Sequence, residues 1–283
     1  MNSISVIEKK ITVPGITRDY RILHVTDSHV VLWDERDEHK VIKSGAHKGK
    51  RLCADFGSVR YPHFSRNGVT SAEHFAYLCD QLAAAPDFCD AVVFTGDILD
   101  FYTEAAFDFV CDNIAKLPMP YIFTLGNHDL IFSDMEEAEV RSKFVPLCGG
   151  DTRIQKLKVG ELMLLGSDNI RNYYADETVE GIRKVLESEK HVLMFQHLPL
   201  STPELHEVTM AKKGRDLGLG GDGVCIGESH SIVRSMITAD DSPVRALICG
   251  DMHLDFSGRI GKAGLFVSPI TVDFPPVLFT VGA

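Results

Sequence analysis

Residues 91–100, Ala-Val-Val-Phe-Thr-Gly-Asp-Ile-Leu-Asp, form a short apolar run that breaks at Gly96-Asp97. A run of this length bounded by a turn signal reads as a buried strand that delivers a carboxylate at its end. The same design recurs on both sides. Upstream, Arg21–Thr26 reads as a strand that stops at Asp27-Ser28-His29, after an earlier strand Ile11–Pro14 and a turn at Gly15. Between the two main strands, Ser71–Ala84 has helical spacing through Phe75, Leu78 and Leu82, with Thr70 or Ser71 as N-cap and Pro86 as stop. Downstream, Thr103–Lys116 reads as a helix closed by Leu117-Pro118, and Tyr121–Leu125 as a strand ending in Gly126-Asn127-His128-Asp129. This is a βαβαβ rhythm.

The rest of the chain continues it. Ser133–Phe144 is expected to be helical, Thr152–Val159 and Glu161–Ser167 to pair as a hairpin around Gly160, and Thr178–Ser188 to form a helix. His191–Phe195 is a strand ending at Gln196-His197, a helix is expected near Ser229–Thr238, and Val244–Cys249 is a strand ending in Gly250-Asp251-Met252-His253. Three short strands close the chain. Two segments fit no period. Leu32–Asn67 is polar and too long for an ordinary connector, so a functional loop or cap is expected there, and glycine-dense Ala211–Gly227 reads as a second loop. No repeat or linker divides residues 1–283, so a single domain is expected.

Composition narrows the function classes. The formal net charge of −11 opposes an extended basic face for nucleic acid or anionic membranes. Apolar runs stop far short of the roughly 20 residues that span a bilayer, and Met1–Lys10 lacks the apolar core of a secretory signal. Seven cysteines with no CxxC pair, several inside apolar runs, read as small buried hydrophobes in a reducing, cytoplasmic compartment.

Five strands thus end in metal-competent residues: Asp27 and His29, Asp97, Asn127 and His128, His197, and Asp251 and His253. In an open α/β sheet the carboxyl ends of the strands share one edge, where such residues can converge. A carboxylate at Asp97 can give one oxygen to each of two ions, and two divalent cations about 3.5–4 Å apart clamp the attacking and leaving oxygens of an in-line displacement. Mixed imidazole, carboxylate and amide donors suit Zn, Fe or Mn.

In this order the blocks resemble those of the calcineurin-like metallophosphoesterases: DxH at 27–29, GDxxD at 96–100, GNH[DE] at 126–129, a later His at 197, and GHxH at 250–253. The resemblance implies an α/β fold in which two mixed β-sheets pack as a sandwich flanked by helices. It implies that Asp27, His29, Asp97 and His253 hold one ion, and Asp97, Asn127, His197 and residue 251 the other. The cofactors would be two divalent ions, Mn²⁺ or Fe with Zn²⁺ as the alternative. His128, oriented by Asp100, would assist the leaving group while a metal-bridging hydroxide attacks a phosphate mono- or diester. One block departs from the pattern, since Asp251 stands where the family has His. If Asp251 coordinates, an anionic oxygen replaces a neutral nitrogen, the centre becomes less positive, and Mn or Mg is favoured there over Zn. If it points away, the second ion keeps three protein ligands.

Other residues have plainer readings. Asp100 could cap the following helix, and Asp129 and Asp255 read as turn or surface groups. His24 reads as a packed core residue; His39, His47 and His63 as solvated loop residues. Arg36, Arg60 and Arg66 could fork onto a substrate phosphate. The expected partner is a small phosphorylated molecule. The alternatives are a nuclease for short nucleic acids, which would need a groove lined by Arg36 to Arg66, and a metal-binding scaffold that has lost turnover.

Overall fold

The computed structural model describes residues 4–43, 47–214 and 227–283. The first sheet has five strands in the order β1-β11-β2-β3-β4, formed by β1 (Ile7–Thr12), β2 (Tyr20–Val25), β3 (Ala91–Thr95), β4 (Tyr121–Thr124) and β11 (Val277–Gly282). The second has six, in the order β5-β6-β7-β8-β10-β9, from β5 (Ile154–Val159), β6 (Leu162–Ser167), β7 (Val192–Gln196), β8 (Val244–Cys249), β9 (Phe256–Ile260) and β10 (Ala263–Val267). Strands β2, β3 and β4 run parallel, as do β6, β7, β8 and β10, while β11, β5 and β9 are antiparallel to a neighbour. Both sheets are therefore mixed, as expected.

Side-chain alternation along each strand decides the layers. Ile22, Val93, Ile122 and Phe279 of the first sheet share a buried cluster with Leu164, Leu193, Phe195 and Ile248 of the second, which is the core between the sheets. Their sequence neighbours Leu23, Val92, Phe94 and Phe123 face outward and are covered by α2 (Ser71–Ala83), α3 (Glu104–Ile114) and α5 (Glu137–Phe144). On the opposite side Leu165, Met194 and Leu247 are covered by α6 (Asp176–Ser188) and α8 (Glu228–Thr238). His24 points into the core between the sheets, its ring nitrogens 2.7 Å from Ser268 Oγ and 2.6 Å from Thr95 Oγ1. Burial lowers its pKa to about 3, so it is a neutral, bonded core residue as expected.

Helix boundaries follow local chemistry. Thr70 and Glu73 form a capping box at the start of α2: Thr70 Oγ1 accepts from Glu73 N at 3.1 Å and Glu73 Oε2 accepts from Thr70 N at 2.8 Å. The helix expected over 133–144 is shorter, because a short helix α4 (Asn127–Ile131) comes first and Ser133 Oγ turns the chain by accepting from Met135 N. A further helix, α7 (Pro203–Lys213), was not expected, although Thr202 as N-cap and Pro203 at the first position announce it. It takes in the first residues of the glycine-rich segment and ends at Gly214; the remainder of that segment, 215–226, lies outside the described residues.

The described residues of the 32–67 segment, 32–43 and 47–67, form a structured cap. It contains one wide helical turn, Leu52–Gly57, and α1 (Ser58–His63), and it builds a small core of its own from Leu52, Phe56 and Phe64 against Phe101 and Ile270. Asp37 is fully buried beneath it and caps α3, accepting from Glu104 N at 3.0 Å and Ala105 N at 3.3 Å. His47 is therefore not a solvated loop residue: its ring packs 4.8 Å from Phe56 and 5.5 Å from Phe132. Since the sheets meet through large apolar side chains, Phe195→Ala is expected to cost about 3–5 kcal/mol. The check is a urea unfolding curve, whose midpoint should fall while its slope stays unchanged.

Candidate metal centre

The turns that follow β2 and β3 are laced together beyond the last strand residues. Asp27 N donates to Gly96 O at 3.0 Å, His29 N to Asp97 O at 2.9 Å and Val30 N to Ile98 O at 2.8 Å. Gly250 N donates to His197 O at 3.0 Å, which ties the two turns of the second sheet in the same way. Asp27, His29, Asp97, Asp251 and His253 all have positive φ, between 43° and 64°. Such backbone is uncommon for residues with a Cβ, and here it lets each chain reverse at the strand end and aim its side chain along the shared edge. Glycine is obligatory where these turns cross: a Cβ on Gly126 would sit 2.1 Å from Asp97 Oδ1, and one on Gly250 would sit 2.0 Å from Thr26 Oγ1.

The seven expected ligand residues come together. His253 Nε2 lies 3.2 Å from Asp27 Oδ1 and 3.2 Å from His29 Nε2, and His29 Nε2 lies 3.9 Å from Asp27 Oδ1 and from Asp97 Oδ2. Beside this group, His197 Nε2 lies 3.3 Å from Asp97 Oδ2, 3.2 Å from Asn127 Oδ1 and 3.7 Å from Asp251 Oδ1. Two donors each about 2.1 Å from a shared ion, at ordinary coordination angles, lie roughly 3.0–3.5 Å apart. The 3.2–3.3 Å spacings match that range, and the 3.7–3.9 Å spacings of His29 Nε2 and Asp251 Oδ1 lie a few tenths of an ångström outside it.

Each ligand is aimed by a second bond. Asp27 Oδ2 accepts from Thr26 Oγ1 at 2.6 Å and Asp251 N at 3.1 Å, leaving Oδ1 buried with no hydrogen-bond partner. Asp97 Oδ1 accepts from His128 N at 2.8 Å, which leaves Oδ2 to the site. The Nδ1 of His29 is 2.8 Å from Asp100 Oδ1, and the Nδ1 of His197 is 2.7 Å from Thr95 O. A carbonyl or carboxylate requires a donor there, so Nδ1 carries a proton in both rings and Nε2 is the atom that each presents to the site.

The charge balance asks for cations. Asp27, Asp97, Asp100 and Asp129 are all buried. Burial disfavours a proton on His197, but Asp97, Asp27 and Asp251 outweigh it and hold its pKa well above the usual histidine range. Burial, with Asp97 and Asp27 adding to it, pushes Asp251 up to about 6 against the pull of His197 and His253. In His29 burial wins over Asp100 and keeps the ring neutral. A carboxylate oxygen without a hydrogen-bond partner and imidazole nitrogens gathered in one buried pocket form a donor set that suits a divalent cation, which would take the place of the protons on His197 and His253.

The family profile described as calcineurin-like phosphoesterase matches residues 20–255, and the chain belongs to that family. Among solved structures it is similar to a dimetal phosphatase from Danio rerio, with 13% identity over 89% of this chain and 88% of that one and a TM-score of 0.51. It also matches the phosphopantetheinyl hydrolase of Mycobacterium tuberculosis, with 10% identity, coverage of 88% and 89%, and a TM-score of 0.43. The inner-membrane-complex anchor GAP50 of Plasmodium matches with 9% identity, coverage of 89% and 72%, and a TM-score of 0.45. No match was found among curated proteins. No described helix is long and apolar enough to cross a membrane.

Several smaller expectations change. Asp129 is not a surface group: it is fully buried, its Oδ2 accepting from Gly126 N at 2.7 Å and Asp97 N at 2.9 Å and its Oδ1 from Leu99 N at 2.8 Å. It fastens the third block to the second, a role signalled only by its place three residues after Gly126. Asp100 does not cap α3, since Thr103 does so through Ala106 N; its carboxylate meets both His29 and, at 3.1 Å, His128 Nδ1. Asp255 is a surface group paired with Lys9, as expected. The four cap arginines are all paired with carboxylates: Arg36 with Asp34 and Asp108, Arg51 with Asp55, Arg66 with Asp273, and Arg60 with Asp100. Asp129→Ala strands three buried amides and is expected to cost about 3 kcal/mol or more, read as a fall in thermal midpoint. The same variant should bind Mn²⁺ more weakly in a metal titration.

Proposed function

We propose that this chain hydrolyses the phosphate ester bond of a small mono- or diester with two divalent cations as cofactors. The observation that carries the reading is Asp97 Oδ2, which faces His29 Nε2 at 3.9 Å and His197 Nε2 at 3.3 Å. Asp27, His29 and His253 would hold one ion with Asp97; Asn127, His197 and Asp251 would hold the other. When bound, the cations supply Lewis acidity towards phosphate oxygens and lower the pKa of water. Mn²⁺ or Fe is the preferred pair, with Zn²⁺ the alternative, and the oxygen donors Asn127 and Asp251 favour Mn²⁺ at the second position.

The protein's own part is orientation and proton supply. Asp27, Asp97 and Asp129 anchor the turns so that no reorganisation is required when an anion enters. His128 Nδ1 is 2.9 Å from Asp100 O, which fixes the ring and leaves Nε2 for a leaving alcohol. Burial opposes a proton on His128, but Asp97 and Asp100 together raise its pKa to about 9, so the ring can carry the proton it would donate. The negative charge of the chain and the pairing of all four cap arginines with carboxylates support a small substrate over a nucleic-acid strand.

The direct test is elemental analysis with a Mn²⁺-supplemented assay on bis(4-nitrophenyl) phosphate and 4-nitrophenyl phosphate. Two ions per chain and turnover of at least one ester are expected; a wild-type protein that binds two ions yet cleaves no ester would leave only the scaffold reading. His128→Ala should keep both metals and lose roughly 10²–10⁴-fold in kcat, most with poor leaving groups. An equal loss of bound metal would remove it from the acid role.

A further inference from the structure

We propose that Arg60, carried by the cap, is a positioning residue for the metal centre that acts through Asp100 on the rings of His29 and His128. The inference rests on the two-metal reading of the site. Asp100 is fully buried, and Arg60 grips it with both prongs, Nε to Oδ2 at 2.6 Å and Nη2 to Oδ1 at 2.5 Å. The same Oδ1 lies 2.8 Å from His29 Nδ1 and 3.1 Å from His128 Nδ1.

A carboxylate held by histidines alone can still rotate about its Cβ–Cγ bond, and with it the direction in which its lone pairs point. A planar fork on both oxygens removes that freedom, which a lysine, as a point charge, does not. The cap closes on His29 from a second side. Phe64, one turn after Arg60 on α1 and its C-cap, lies flat on the His29 ring at 4.3 Å with 5° between planes, and the Arg60 guanidinium stands 4.7 Å over Phe64. Edge and face of His29 are thus both set from the cap, with Nε and Nη2 of Arg60 committed to Asp100.

The sign of the effect on cation binding separates positioning from charge. Removing a positive group beside the site would tighten cation binding if only charge mattered, whereas loosening His29 weakens it. Partners of a ligating histidine change metal affinity by about 10–100-fold. The experiment measures Mn²⁺ affinity by electron paramagnetic resonance titration of the full chain as wild type, Arg60→Lys, Arg60→Met, Asp100→Asn and the Arg60→Met/Asp100→Asn double variant, each checked for its thermal midpoint.

Both Arg60 variants are expected to bind Mn²⁺ about 10-fold more weakly at the His29 position. The double variant should fall within about 2-fold of Asp100→Asn alone, because Arg60 acts through Asp100. Arg60→Lys keeps the charge and carries the test if Arg60→Met does not fold. Unchanged or tighter binding, or fully additive losses, would overturn the proposal. In turnover, kcat should drop at constant KM; a raised KM at constant kcat would make Arg60 a substrate contact and overturn it too. If the wild type binds Mn²⁺ but cleaves no ester, the hydrolase reading fails while the binding arm still decides Arg60. If it binds none, both fail.

Discussion

Four carboxylates buried within one edge of the molecule are the condition that everything else answers. A buried ionised carboxylate is costly unless it is bonded or paired. Asp129 accepts three backbone amides, Asp100 meets Arg60 and two histidines, and Asp27 and Asp97 are each satisfied at one oxygen only. The two remaining oxygens, Asp27 Oδ1 and Asp97 Oδ2, look onto the Nε2 atoms of His253, His29 and His197, and in His29 and His197 the other ring nitrogen is already committed as a donor. Without a cation the carboxylates hold protons on His197 and His253, and a divalent cation would replace those protons.

The fold makes the arrangement affordable by placing it where strands end. Parallel strands of both sheets deliver their carboxyl ends to one edge, and left-handed turns at Asp27, His29, Asp97, Asp251 and His253 redirect the chain within two or three residues. Gly126 and Gly250 let the turns approach to distances that any Cβ would block. The apolar layer between the sheets, with Phe195 and Phe279 at its heart, keeps the two halves of the site in register. The two proposed cation positions would differ in chemistry: imidazoles His29 and His253 would dominate one, while amide and carboxylate oxygens from Asn127 and Asp251 would surround the other. That asymmetry follows from a single departure at residue 251, whose side chain lies beside His197 rather than away from it.

The strand ends that carry the five blocks, and the order of those blocks, were legible because strand periodicity and turn signals are local, and so were the candidate donors, which are side-chain chemistry. The cap was legible only as an aperiodic stretch. Its helix α1 is short, and its core borrows Phe101 and Ile270 from distant parts of the chain. Asp129 was misjudged for a related reason: an aspartate in a turn looks the same in sequence whether it faces water or accepts three buried amides. Arg60 was marked as a possible phosphate ligand because nothing local distinguishes a free fork from one that is already taken.

What the sequence determined by itself is the inventory: the strands that carry the five blocks and the candidate donors that close them, whereas the first strand lies at Ile7–Thr12 and not at Ile11–Pro14. What the tertiary structure decided is the pairing. Asp251 turns toward the second position, Asp100 serves two histidines and an arginine at once, and the cap locks onto His29. Pairing depends on distances between residues up to more than two hundred positions apart, and these are set by how two sheets pack rather than by any stretch of neighbouring residues.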